Sequence, residues 1–158
     1  MKLLMAAALA AMATTAQAAP WTREVLELAD GAILDSAYQW VEGEGDVLIG
    51  YECDPVLGFE ALYIQTDDRF DPEAGYAPDV PTTFTIDGAA VQISGIFQER
   101  DGYVFTYYAA EMVEGFAEVF DRLVVAKQDI DVAFYDKRFR FSAEGVGDAL
   151  GTAAGSCW

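Results

Sequence analysis

Two Asp-Gly dipeptides, Asp87-Gly88 and Asp101-Gly102, constrain this chain more than any other feature. Each sits between runs of aromatic and branched residues, in "TTFTIDGAAVQIS" (82–94) and "IFQERDGYVFTYY" (96–108). A two-residue type I′ turn needs positive φ at both central positions, and Asp-Gly supplies it while matching the twist of paired strands. Two successive antiparallel hairpins are therefore predicted. Further strand-like runs surround them: "TREVLEL" (22–28), "SAYQWVE" (36–42), "DVLIGYEC" (46–53), "EALYIQT" (60–66), "IDVAFYD" (130–136) and "RFRFSAE" (138–144), bounded by Gly, Asp or Pro. In the last, Arg138 and Arg140 alternate with Phe139 and Phe141, giving one cationic and one aromatic face.

Two segments carry a helical period instead. Between Ala110 and Leu123, Met112, Val113, Phe116, Val119, Phe120 and Leu123 form an apolar stripe opposite Glu111, Glu114, Glu118 and Asp121. Val146, Ala149, Leu150 and Ala153 suggest a shorter helix with Ser142 as N-cap and Gly155 as stop, although Gly145, Gly147 and Gly151 weaken it. The expected fold is α+β: a mainly antiparallel β-sheet or sandwich with one amphipathic helix and a short C-terminal helix, closed by one disulfide. The stretch from Thr66 to Pro81, rich in Asp, Pro and Gly, reads as a surface loop.

The N-terminus reads as a secretory signal peptide, residues 1–18. Lys2 is the charged start, Leu3 to Ala13 the apolar stretch, and "AQA" (16–18) the small-residue cleavage site. The apolar stretch is shorter than the roughly 20 residues of a membrane-spanning helix. Cleavage after Ala18 leaves residues 19–158 as a single periplasmic or secreted α+β domain, with no membrane insertion. In an oxidising compartment, two cysteines, Cys53 and Cys157, are most simply one structural disulfide. Their separation rules out a CxxC redox motif. The terminal Trp158 is expected to pack over the bond.

Loss of Lys2 leaves eight basic residues against 27 acidic ones, a formal charge of −19. Such a chain is repelled by nucleic acid and by anionic lipid. Histidine is absent, which removes Ser-His-Asp and Cys-His catalysis and the commonest transition-metal ligand. No catalytic residue and no cofactor is assigned. Asp67, Asp68, Asp71, Glu73 and Asp79 are weak calcium candidates, because no EF-hand series of ligands is present. Asp129 and Asp131 share a strand face, but paired carboxylates cannot be singled out among so many acids. No G-x-S-x-G or S-x-x-K motif is present to activate a serine. An outer-membrane barrel, which commonly ends on an aromatic residue, is disfavoured because "DALGTAAGSCW" does not alternate.

The order of "VLIGYECDPVLGFEALYI", "FTIDGAA", "MVEGFAEVFDRLVVA" and "FRFSAEGVGDALGTAAGSCW" resembles the small periplasmic proteins associated with type VI secretion, the VasI/TagO-like family, and their uncharacterised relatives. The resemblance implies an envelope accessory role and a Cys53–Cys157 bond, without catalytic residues. The expected function is thus a non-enzymatic envelope protein that binds or scaffolds an envelope protein or cell-wall component. Two alternatives stand beside it: a hydrolase or carbohydrate-active or carbohydrate-binding protein built on acidic residues, and a calcium-dependent binding module.

Overall fold

A computed structural model describes residues 20–28, 31–41, 47–134 and 137–157. The signal segment, Trp158 and parts of three expected strands (Glu42; Asp46; Tyr135 and Asp136) lie outside those residues. The strands are β1 (Thr22–Glu27), β2 (Ile33–Val41), β3 (Val47–Asp54), β4 (Phe59–Arg69), β5 (Asp79–Ile86), β6 (Ala89–Arg100), β7 (Tyr103–Ala109), β8 (Ile130–Phe134) and β9 (Lys137–Phe141). The helices are α1 (Phe116–Val124), between β7 and β8, and α2 (Val146–Ala154), after β9. All nine strands join one antiparallel sheet in the order β1-β2-β3-β4-β7-β6-β5-β8-β9. The fold is α+β, with a curled sheet rather than two stacked ones.

Both Asp-Gly turns form as expected. Asp87 and Gly88 have φ of 49° and 79°, Asp101 and Gly102 of 56° and 81°. The Asp87 carboxylate also accepts the backbone N–H groups of Lys127 and Gln128 at 3.0 and 2.8 Å, fixing where the chain leaves α1 for β8.

The sheet curls until its ends meet. Trp21, just before β1, donates Nε1–H to the Ser142 carbonyl at 2.8 Å, and the Gln39 side chain of β2 accepts the Ser142 N–H at 2.8 Å. The concave side holds the core, including Ile49, Tyr51, Leu62, Ile64, Phe84, Ile86, Tyr108, Ile130 and Phe141. Phe116, Val119 and Leu123 of α1 and Val146, Leu150 and Ala153 of α2 belong to the same core. Both helices therefore plug the end of the curl at which β7 and β9 finish. Gly147 lets them touch: a Cβ there would stand 2.5 Å from the Val124 carbonyl oxygen.

Three sequence expectations shift. The first helix starts at Phe116 rather than Ala110, because Gly115 takes a left-handed conformation (φ 86°) and the residues before it form turns. Met112, placed on the apolar stripe, is consequently 70% exposed. Ser142 does not cap α2: its hydroxyl accepts the Glu144 N–H, and a left-handed Gly145 occupies the N-cap position. The irregular stretch contracts to residues 70–78, since β4 runs on through Arg69 and β5 begins at Asp79.

Candidate functional site

The expected disulfide is present. Cys53 at the end of β3 and Cys157 after α2 are bonded, with Cα atoms 6.0 Å apart across 104 positions of sequence. No free cysteine occurs among the described residues. Beside the bond lies a polar cluster. Asp35 of β2, buried and paired in register with Cys53, accepts Arg23 Nε–H at 2.8 Å and Nη2–H at 2.5 Å. Its Oδ2 also accepts the Ser156 hydroxyl at 2.6 Å, so the tail is held by a hydrogen bond as well as by sulfur. Arg23's own hydrogen bonding to Asp35 raises the Arg23 pKa.

Tyr51 and Glu60 line the adjoining interior. Burial, reinforced by the Glu60 carboxylate, pushes the Tyr51 hydroxyl pKa up. Burial likewise raises that of Glu60, while the Tyr51 hydroxyl works to lower it. The Tyr51 hydroxyl is enclosed without a hydrogen bond of good geometry. Raised carboxylates in facing pairs would support acid–base hydrolysis; Glu60 is a carboxylate with a raised pKa, and the polar group it meets is the Tyr51 hydroxyl.

The rim of this end is apolar. In the β3–β4 turn, Asp54 Oδ1 accepts the N–H groups of Val56 and Leu57 at 2.9 and 3.0 Å, and the Asp54 carbonyl accepts that of Gly58 at 2.8 Å. Asp54 is itself buried, so the turn is fixed from beneath while Val56 and Leu57 stand 80% and 79% exposed. Leu28 just after β1, Ile33 at the start of β2, Phe59 at the start of β4 and Met112 beyond β7 are also exposed. The register puts them on neighbouring strand ends at the helical end of the curl. Exposed apolar side chains that form one contiguous patch mark interaction sites, ligand grooves or aggregation-prone faces.

The acidic candidates separate. Asp67 and Asp68 lie in β4, Asp79 opens β5, and only Asp71 and Glu73 remain in the loop. Asp68 pairs with Lys137 of β9 and accepts the Thr66 hydroxyl. Asp71 accepts the Glu73 N–H at 2.9 Å within its own turn. Among the described residues, no three acidic or cysteine side chains gather in a metal-binding group. Asp131 pairs with Arg140 across β8 and β9 at 2.7 Å.

Sequence reasoning missed a second cluster, on the convex face. Leu48, Tyr63 and Phe105 are buried there, flanked by Tyr38 and Tyr107. Arg100 stacks over Phe105 at 5.4 Å and donates to Tyr107 Oη at 2.7 Å and Glu52 at 3.3 Å. Burial alone would lower the Arg100 pKa, and Tyr107 and Glu52 overcome it. Glu52 stands 48 positions before Arg100, and their meeting depends on β4 and β7 being neighbours.

No family model, curated protein or solved structure matches this chain. Among the described residues, no helix is long and apolar enough to cross a membrane, which leaves β-barrels unaddressed. A disulfide and the lack of such a helix are compatible with a secreted or periplasmic protein.

Proposed function

We propose that this is an exported periplasmic or secreted domain, cleaved after Ala18, that binds a protein of the cell envelope through its disulfide-closed end. The observation that carries the reading is the β3–β4 turn. Asp54 uses its carboxylate to hold two aliphatic side chains out in water. Burying a valine or leucine completely is worth ~1.5–3 kcal/mol each, so the turn keeps a large free-energy gain for a partner. Because the turn is hydrogen-bonded beforehand, little ordering entropy opposes association. The surrounding acidity turns away nucleic acid and anionic lipid, and favours a partner with an apolar pocket in a basic surface.

The secretion-associated role implied by the VasI/TagO-like resemblance is one form of this proposal: an accessory protein that scaffolds a secretion component. The test is quantitative affinity purification from envelope extract with the mature protein and a Val56→Ser/Leu57→Ser variant. Both side chains are exposed, so the variant should keep its melting temperature. Envelope proteins enriched by the wild type should be depleted at least tenfold with the variant. Equal recovery with both proteins would sink the reading.

A further inference from the structure

Opposite the plugged end, the curl opens at a cleft of about 590 Å³ under the 70–78 loop. That volume lies in the range of sites for small molecules. The loop is tied down at both sides: Phe70 N–H bonds to the Gly102 carbonyl at 3.0 Å, and Phe97 N–H to the Pro78 carbonyl at 3.1 Å. Its own Phe70 and Tyr76 stack with Phe97 of β6, the closest pair being Tyr76 and Phe97 at 4.1 Å between ring centres. Val104 and Phe134, both buried, contribute apolar wall. Behind it the interior changes character. Thr66, Thr82 and Thr106 are all buried, and the Thr106 hydroxyl has no hydrogen-bond partner. Thr106 pairs in register with both Ile64 and Phe97, directly below the aromatic stack.

The rim is charged in both senses. Arg69 and Lys137, two of only nine basic residues in the chain, line the cleft together with Asp68 and Asp71. The Arg69 guanidinium lies 4.1 Å over the Tyr103 ring, which holds its plane and leaves its N–H edge to donate. Lys137 is bonded to Asp68, yet an ammonium has three donors. Asp71 uses one oxygen on the Glu73 N–H and has the other to accept with.

We propose that this cleft binds a free amino acid with an apolar side chain. An apolar well ringed by two cations and two carboxylates fits a ligand that carries both charges and a greasy body. Its carboxylate would meet Arg69 and Lys137, its ammonium Asp71, and its side chain Tyr76, Val104 and Phe134. Lys137 and Asp68 already neutralise one another, so a singly charged molecule of the same shape would leave either Arg69 or Asp71 without an opposite charge from the ligand. The site lies at the other end of the fold from the apolar turn, and the proposal is independent of that reading.

The test is titration calorimetry on the mature protein with L-phenylalanine, 3-phenylpropionate and 2-phenylethylamine. Saturable binding of phenylalanine is expected, with each singly charged analogue at least tenfold weaker. Arg69→Gln should weaken phenylalanine at least tenfold, and so should Asp71→Asn, which retains the acceptor for Glu73 and so preserves the loop. Circular dichroism verifies that the variants are folded. Absence of saturable heat with phenylalanine would overturn the proposal. So would equal affinity for either analogue, or unchanged binding by the two folded variants.

Discussion

Replacing both cysteines with alanine should destabilise the domain more than any other small change, and the structure shows where. The bond spans 104 positions, and a crosslink closing a loop of about 100 residues is credited with ~4.7 kcal/mol through the entropy of the unfolded chain. Measured values often fall below that model, so a loss of about 2–5 kcal/mol is expected. Against a total of about 5–15 kcal/mol for a typical domain, that is a large share. At about 2–4 °C per kcal/mol, the melting temperature should drop by roughly 5–20 °C. The helix itself should survive, because Val146, Leu150 and Ala153 stay buried in the core. Urea unfolding of wild type and variant measures the loss. Hydrogen exchange should show protection lost first at Ser156 and Cys157, whose N–H groups bond to the Ala153 and Ala154 carbonyls. A difference below about 1 kcal/mol would refute the idea that the bond secures the tail.

Three further outcomes follow from particular contacts. Gly147→Ala would improve an isolated helix by about 1 kcal/mol, yet here the new methyl meets the Val124 carbonyl at 2.5 Å, so thermal unfolding should show a net loss of ~1–3 kcal/mol. Glu60 has a raised pKa, so folding favours its protonated form: relative stability is highest at low pH and falls as pH rises through the folded pKa. Glu60→Gln should therefore raise the melting temperature at pH 7, and the gain should vanish below the ordinary carboxylate pKa of about 4.3. Asp54→Ala removes the acceptor for Val56 and Leu57 and should cost ~1–3 kcal/mol in urea unfolding, with faster exchange of those two amides.

Much of the fold is written locally. Asp87-Gly88 and Asp101-Gly102 declare their turns because few other dipeptides accept two positive φ values, and the Phe116, Val119 and Leu123 stripe marks α1. Cys53 and Cys157, the two cysteines of a chain read as exported, pair without any need for geometry. What stayed hidden depends on long-range neighbours. Asp35 looks like a strand boundary in sequence, but Arg23 on the adjacent strand neutralises it and lets β2 begin at Ile33. Gly147 looks like a helix weakener and is a helix–helix contact. Met112 has the right period for a helix that Gly115 prevents from starting there. The apolar turn did leave a local trace: Val56 and Leu57 stand inside an Asp-Pro to Gly turn, where water-exposed positions usually carry polar residues.

Whether the Val56–Leu57 turn meets a protein partner in the envelope can be read out by photo-crosslinking in living cells. A photoreactive residue at position 57 should give a discrete adduct with one envelope protein. The same residue at position 85, on the outer face of β5, should not yield that adduct. Adducts from both positions alike, or none from position 57, would contradict a docking role for the turn.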